Sequence, residues 1–546
     1  MVSRRHHDAG NRGGGELTKR KQGMHVLNRR LFLTHSGMLL SGFALSRPFP
    51  VPTVGTVPLS RSTPEAEGVS SEGILRLLRA WEDSPHELHG FVLARHNKVI
   101  ADGWWAPYRE GLPHSMYSMS KSFTSTAVGF AVSENLLQLT DPVVRFFPNQ
   151  LPPSVSPELA SMTLEHLLTM SVGHDRDTTW EMIQSADWIR RFLAFDVATP
   201  PGSKFLYNSG ATYMLSAVLQ TVTGQRVSQY LTPRLFEPLG IQGAYWDTCP
   251  AGIDTGGWGL HLRTADMARF GQLYLQQGKW EGFQLLPAAW VKQATGYRIP
   301  NGDPADASDW AQGYGYQFWR SRHQSYRGDG AFGQYTLVLP EQDAVLAIHS
   351  ETPDMQGLLN LVWEHLLPAF QPKALPSDHQ ALLTLRHTLR NMAIAPLTGG
   401  DSSGKVDLRQ GKTYLVDPNE NQVDEVRFLQ NGNTMEFHFR NHLGTFSLTA
   451  GIRAWRKGET NMPGSPPDLF PIPYERLSVS KISAIAAWQD DRTLLFRVQY
   501  IETAHHDTIT CTFGEDSVTV DFLSSLARMM GRDAEKRVAL TGRTSP

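Results

Sequence analysis

The chain has two cysteines in 546 residues, Cys249 and Cys511, far apart in sequence. That excludes a disulfide framework and any Cys-x-x-Cys metal or redox motif. Charge of one sign is also missing: 51 Lys and Arg face 53 Asp and Glu, a formal net of −2. No basic excess exists to recruit nucleic acid or an anionic membrane surface. No apolar run is long enough to span a bilayer. His6-His7 and His505-His506 are adjacent, which is not a helical zinc-ligand spacing. No repeat recurs at solenoid spacing. With 40% hydrophobic and 19% charged residues the composition is that of a folded globular chain, and the length implies more than one domain.

Two motif matches are set aside on context. Gly328-x-Gly330-x-x-Gly333 fits a dinucleotide fingerprint, but that fingerprint must open a helix, and here it leads into the strand-like run Tyr335 to Leu339. Gly400-Asp401-Ser402-Ser403-Gly404 fits a nucleophile elbow, but it lies in a Gly/Ser/Pro stretch with neither the strand nor the helix an elbow needs. Nothing in the pattern calls for a cofactor or a metal.

Residues 1–46 read as an export signal. Asn28-Arg29-Arg30-Leu31-Phe32-Leu33 resembles a twin-arginine motif, a short apolar run follows from Met38 to Leu45, and Ala44-Leu45-Ser46 offers a small-x-small cleavage site. Met24 is an alternative start to Met1. The expectation is a bacterial protein exported to the periplasm or beyond. A Pro-rich linker fills 47–64.

From 65 to 370 short strands flank a helical middle. Ser70-Ser71-Glu72 opens a helix with Ile74, Leu77, Leu78 and Trp81 on its inner side. Phe91 to Ala101 reads as a hairpin around Arg95-His96-Asn97-Lys98. Helices are expected from Ser118, from Thr163, over Ala211 to Val222, from Thr264 and over Met355 to Leu367. A polar loop is expected from His174 to about Pro201. Tyr335 to Leu339 and Ala344 to Ile348 are strands. The predicted class is α+β: an antiparallel sheet built from both ends of the region with a helical subdomain inserted. Residues 371–404 read as one helix (Asp378 to Met392) and a linker. From 405 to 546 strands alternate with turns such as Asn431-Gly432-Asn433, which predicts a separate all-β domain, sandwich or small barrel.

The chemistry centres on Ser118-Met119-Ser120-Lys121. A serine and a lysine three apart at a helix start share a face, so the amine reaches the hydroxyl. Serine is a poor nucleophile until a neighbouring base takes its proton. A lysine serves as that base when its surroundings hold part of its population neutral, since the free side chain titrates near ~10.4. The segment Phe123 to Leu137 carries only Glu134 as a charge, so the helix belongs inside a large domain.

Tyr117 to Phe123, Thr163 to Gly173, Phe205-Leu206-Tyr207-Asn208-Ser209-Gly210, Gly257-Trp258-Gly259-Leu260 and Gly328-Asp329-Gly330-Ala331-Phe332-Gly333-Gln334 occur in this order. Together they resemble the serine β-lactamase and penicillin-binding-protein superfamily, in particular its class C-like esterases and amide hydrolases. The resemblance covers roughly Arg61 to Phe370. It implies that Ser118 is acylated, that Lys121 is its proton partner, and that Tyr207 shuttles the proton to the leaving group. It implies an oxyanion hole from the N–H groups of Ser118 and Ala331, with Ser209, Gly328, Asp329 and Gly330 along the substrate.

The chain departs from the family pattern in three places. Ser209 stands where many members have Asn. Gly328 stands where they have Lys or His, with Arg327 beside it as a possible substitute for the charge. The C-terminal β domain lies outside the minimal catalytic fold. Asp329 by itself reads as a turn residue, His114 and His174 as packed or pocket-wall residues, and Trp180, Trp258 and Trp310 as core or cleft lining. The expected partner is a small ester, amide, lactam or peptide-like substrate. The alternative is a binding module on the same scaffold that acylates without turnover. Oligomeric state is left open.

Overall fold

The computed structural model describes residues 59–470, 474 and 477–544. The export segment 1–46 and most of the linker 47–64 lie outside the described residues. Ser70 caps the first helix, α1 (Ser71–Glu82), by accepting the Gly73 N–H, and Ile74, Leu77, Leu78 and Trp81 are buried. β1 (Glu87–Arg95) and β2 (Lys98–Trp104) form the expected hairpin. The helical middle includes α2 (Ser120–Ser133), α3 (Ser209–Thr223) and α4 (Thr264–Leu275). The chain then returns through β3 (Trp319–Arg320), β4 (Tyr326–Gly330), β5 (Gln334–Leu339) and β6 (Ala344–Glu351), followed by α5 (Met355–Leu361).

The six strands make one antiparallel sheet in the order β2-β1-β6-β5-β4-β3. Strands from the two ends of the region meet at its centre, where Val92 pairs with Ala347 and Ala347 with Thr336. Successive side chains of a strand point to opposite faces. Phe91, Leu93, Leu337, Leu346 and Ile348 therefore join α1 and α5 in one core, while Val92, Val338, Val345 and Ala347 join α2, α3 and α4 in another. Both faces are covered, which is why these strands read as continuous apolar runs.

Helix α6 (His379–Asn391) packs back on the first region. Leu385 is buried in the α1 core, and the Met392 methyl lies where a Cβ on Gly103 would sit. Beyond it come β7 (Lys412–Val416), β8 (Val423–Asn431), β9 (Thr434–Asn441), β10 (Gly444–Ile452), β11 (Arg456–Thr460), β12 (Ser480–Trp488), β13 (Thr493–Tyr500), β14 (His506–Phe513), β15 (Ser517–Ser524) and β16 (Leu540–Arg543). Nine of them close into a barrel in the order β10-β9-β8-β7-β16-β15-β14-β13-β12, with β11 paired to the outside of β12. Closure comes from a short parallel pairing of Gly451 with Ile485 and Ile452 with Ala486. That pairing decides between sandwich and barrel. Tyr414, Phe428, Phe437, Phe496 and Phe522 fill the interior.

Four expectations need correction. The 174–201 stretch is not all loop: it holds helices Thr179–Ile183 and Trp188–Leu193, the second capped by Asp187 and anchored by buried Trp188, Phe192 and Leu193. The helix from Met355 is regular only to Leu361 and widens over Val362–Leu366. The strand Ser480–Trp488 is absent from the sequence reading because beyond Lys481 both of its faces are small or apolar, with no alternation to mark it. Asp329 is not a turn residue: Gly328, Asp329 and Gly330 are the end of β4, and the turn comes only at Ala331–Gly333.

Candidate active site

The site grows from the approach to α2. Tyr117–Met119 form one 3-10 turn before the helix begins at Ser120. Tyr117 holds a left-handed φ of 46°, rare for a bulky side chain and costly unless its surroundings impose it. Ser120 clamps the turn by donating to the Tyr117 carbonyl (2.6 Å) and accepting the Leu260 N–H (3.1 Å). The Tyr117 phenol is itself held at 2.7 Å by His505 of the barrel region, and the other nitrogen of that imidazole lies 2.6 Å from Glu351. Ser118 thus projects from a turn fixed on both sides, with its side chain half-buried.

Lys121 is 1% exposed. Its Nζ lies 2.9 Å from Ser118 Oγ, 2.9 Å from Ser209 Oγ and 2.8 Å from the Gly257 carbonyl. All three partners are uncharged. Burial without a direct carboxylate disfavours the ammonium and pushes the pKa down to about 7, against the opposing charges of Asp177 and Asp329. A neutral amine has two N–H bonds and one lone pair. Gly257 O accepts only, Ser209 Oγ takes the second proton, and the lone pair is left for the Ser118 hydroxyl.

Tyr207 lies just before α3, whose N-cap is Asn208, with Asn208 Oδ1 accepting the Gly210 N–H at 2.9 Å. The Lys121 nitrogen sits 4.8 Å from the centre of the Tyr207 ring, and Ser118 is the group that most favours the ionised phenol. Burial raises the phenol's pKa far above its ordinary value, against the pull of Ser118 and Arg327. At neutral pH it is therefore a proton donor. Ser209, at the position where the family pattern has Asn, is a ligand of the lysine.

β4 forms the opposite wall. A Cβ on Gly330 would stand 2.1 Å from the Met116 carbonyl, so only glycine lets this strand lie against the turn that carries Ser118. Ala331 follows directly. A Cβ on Gly328 would meet Met119 at 3.0 Å and Ser122 at 3.1 Å, so a lysine or histidine side chain there is crowded from its first carbon. Arg327 does not supply a free charge instead. It is fully buried, with Nε donating to Asp329 at 2.8 Å and Nη1 to the Asp309 carbonyl at 2.8 Å and to Ser321. Burial lifts the Asp329 carboxyl to about 6, and Arg327 restrains the rise.

Lys121 thus touches Ser118 and Ser209, its nitrogen lies 4.8 Å from the centre of the Tyr207 ring, and Asp329 is within electrostatic reach of it. His114 and His174 are buried, and burial lowers the pKa of both. Asp177 and His505 escaped sequence reasoning. Asp177 has no motif, and His505 lies 388 residues from its partner Tyr117. Among the described residues one group has metal-ligand spacing: ligand atoms of Glu87, Glu351 and His506 lie within 4.8 Å of one another. These groups are already engaged with Arg497, Gln499, His505 and Ser525 and form a polar network between the sheet and the barrel.

A family model described as Beta-lactamase matches residues 87–364, just over half of the chain. The 6-aminohexanoate-dimer hydrolase of Paenarthrobacter ureafaciens is 24% identical over 284 residues, 48% of this chain and 72% of that protein. Esterase EstB of Burkholderia gladioli is 28% identical over 172 residues, 28% of this chain and 44% of that protein. Among solved structures, the octameric penicillin-binding protein homologue from Pyrococcus abyssi aligns over 86% of this chain and 99% of its own at 15% identity, with a TM-score of 0.44.

Proposed function

This chain belongs to the beta-lactamase family and is a serine hydrolase, and we propose that it cleaves an ester or amide through an acyl-enzyme on Ser118. The observation that carries the reading is the buried Lys121 amine, 2.9 Å from the Ser118 hydroxyl and bound only to uncharged acceptors. Neutral Lys121 takes the Ser118 proton as Oγ attacks the carbonyl carbon. The oxyanion rests on the N–H groups of Ser118 and Ala331, each such donor contributing ~3 kcal/mol. Tyr207 passes the proton to the departing alcohol or amine. Water then attacks the acyl carbon, the acid leaves, and Ser118 recovers its proton. Relatives named as an esterase and as a 6-aminohexanoate-dimer hydrolase support both bond types. Gly328 and the internally paired Arg327 favour a substrate without a carboxylate at that position.

Removing the nucleophile tests this. Ser118→Ala is expected to lower p-nitrophenyl ester hydrolysis by ~10⁴-fold or more, to abolish labelling by a fluorophosphonate, and to leave the melting temperature unchanged. Equal turnover by the variant would reject the acyl-enzyme, and a stable adduct on Ser118 without turnover would support a binding module instead.

Export through the twin-arginine-like segment is the second part of the proposal. No helix among the described residues is long and apolar enough to cross a membrane. Replacing Arg29 and Arg30 by Lys is expected to hold the protein in the cytoplasm of a bacterial host. Unchanged export would remove that part.

A further inference from the structure

A cavity of about 1000 Å³ that the mechanism above does not use borders the turn that carries Ser118. Tyr117, the neighbour of Ser118, and Trp258, the neighbour of the Gly257 that binds Lys121, both line it. Its walls are aromatic. Phe470, from the barrel region, stacks on Trp258 with centroids 4.2 Å apart and approaches Trp180 at 5.5 Å. Trp246 is pinned by donating its indole N–H to the Trp258 carbonyl at 2.7 Å.

Set into these walls are acids in excess of bases. Glu502 is matched by Lys481 at 2.8 Å. Among the described residues Asp247 has the His261 imidazole as its ion-pair partner, at 3.8 Å. Asp468 accepts the Phe470 N–H at 3.0 Å. Burial lifts the Asp468 carboxyl to about 6, and the charge of Asp247 pushes in the same direction. The Asp247 side chain is 52% exposed, and a cation placed beside it and the more buried Asp468 is attracted by both carboxylates. Aromatic faces attract organic cations through the ring quadrupole. Carboxylates and indole faces around one cavity favour the same class of occupant.

We propose that this cavity is an ammonium subsite: it receives a protonated or quaternary amine carried by the ester or amide whose carbonyl Ser118 attacks. The proposal rests on the hydrolase reading for the substrate's other end. It also gives the barrel region a task, because Asp468 and Phe470 lie outside the residues matched by the family. The neutral part of the substrate is held at Ser118, and the charged part selects which substrates are turned over.

Two measurements on the full chain test it. The first compares kcat/KM for the p-nitroanilides of alanine and 6-aminohexanoate with those of propanoate and hexanoate. At least one amine-bearing substrate is expected to exceed its plain counterpart by about tenfold or more, and the ratio to collapse towards one in the Asp468→Asn, Asp247→Asn double variant, whose fold is checked by circular dichroism. Ratios of one or below for both pairs in the native protein overturn the proposal. The second needs no turnover. Hexyltrimethylammonium is expected to change tryptophan fluorescence saturably where hexanol does not, and the double variant to lose the response. If neither anilide nor ester is cleaved yet this response is present, the hydrolase reading fails and the subsite stands. If the two ligands behave alike, the subsite fails whatever the enzyme does.

Discussion

Helix α2 and the barrel handle polar residues in opposite ways. In the barrel strands the period of two separates them: Met435, Phe437 and Phe439 point inward from β9, and Glu436 and His438 are only partly covered. In α2 nearly every residue is buried, including Ser120, Lys121, Ser122, Thr124, Ser125 and Thr126. Most of these find partners only through tertiary structure. Ser122 donates to the Gln317 carbonyl, Thr124 to the Gly256 carbonyl, and Thr126 to its own helix at the Ser122 carbonyl while accepting from the Tyr274 hydroxyl. A strand whose polar side faces water needs no partner designed for it. A helix with polar residues on every face does, because each unmade buried hydrogen bond costs ~1–3 kcal/mol. Lys121 is the extreme case: its neighbours satisfy its protons and leave its charge uncompensated. The same burial that disfavours the ammonium makes the amine a base at neutral pH.

Removing that amine breaks the comparison hardest. Lys121→Met is expected to cut kcat/KM by ~10³-fold, within the range for a general base acting on a nucleophile, and to raise the melting temperature, since a buried unpaired charge is replaced by an apolar side chain of similar length. A lower melting temperature would mean that the ammonium stabilises the fold. Phe437→Ala probes the other region. Phe437 is fully buried among Phe428, Phe496 and Phe522. The substitution is expected to cost ~3–5 kcal/mol of stability in denaturant unfolding, with kcat per folded molecule within about twofold of native. A large loss of kcat at low temperature would show that the barrel core and the site are coupled.

The smallest effect is one of degree. Lys121 must be neutral to accept a proton, and its pKa is held near 7. kcat/KM for a neutral ester is therefore expected to be level above about pH 7.5 and to fall roughly tenfold per unit below about pH 6.5. A limb centred near pH 10 would mean that the lysine keeps its solution pKa, and the contrast with the barrel would lose its functional meaning.

The apolar runs from Tyr335 and Ala344, the hairpin after Phe91 and the alternating strands around Asn431-Gly432-Asn433 were legible because their patterns match the local period. The strand Ser480–Trp488 was not, since an apolar run without alternation carries no face. Asp329 misled for a related reason: between two glycines it has the composition of a turn, and only the close approach of β4 to Met116 and Met119 explains glycines inside a strand. The spacing of Ser118 and Lys121 puts them on one face, and the apolar helix and the ordered motifs around them are what single the pair out. The partners of Lys121 at Ser209 and Gly257 lie 88 and 136 residues away, and no spacing encodes them.

By itself, then, the order of residues determined the periodic elements and placed a hydroxyl and an amine on one face at the mouth of an apolar helix, because those depend on neighbours within a turn or two of chain. Tertiary structure alone decided that burial lowers the amine's pKa to about 7, that Arg327 is spent on Asp329, that the second sheet closes through Gly451 and Ile485, and that Phe470 reaches Trp258. Each of these is set by burial or by contact between distant segments, and solvation and distance are properties of the folded chain.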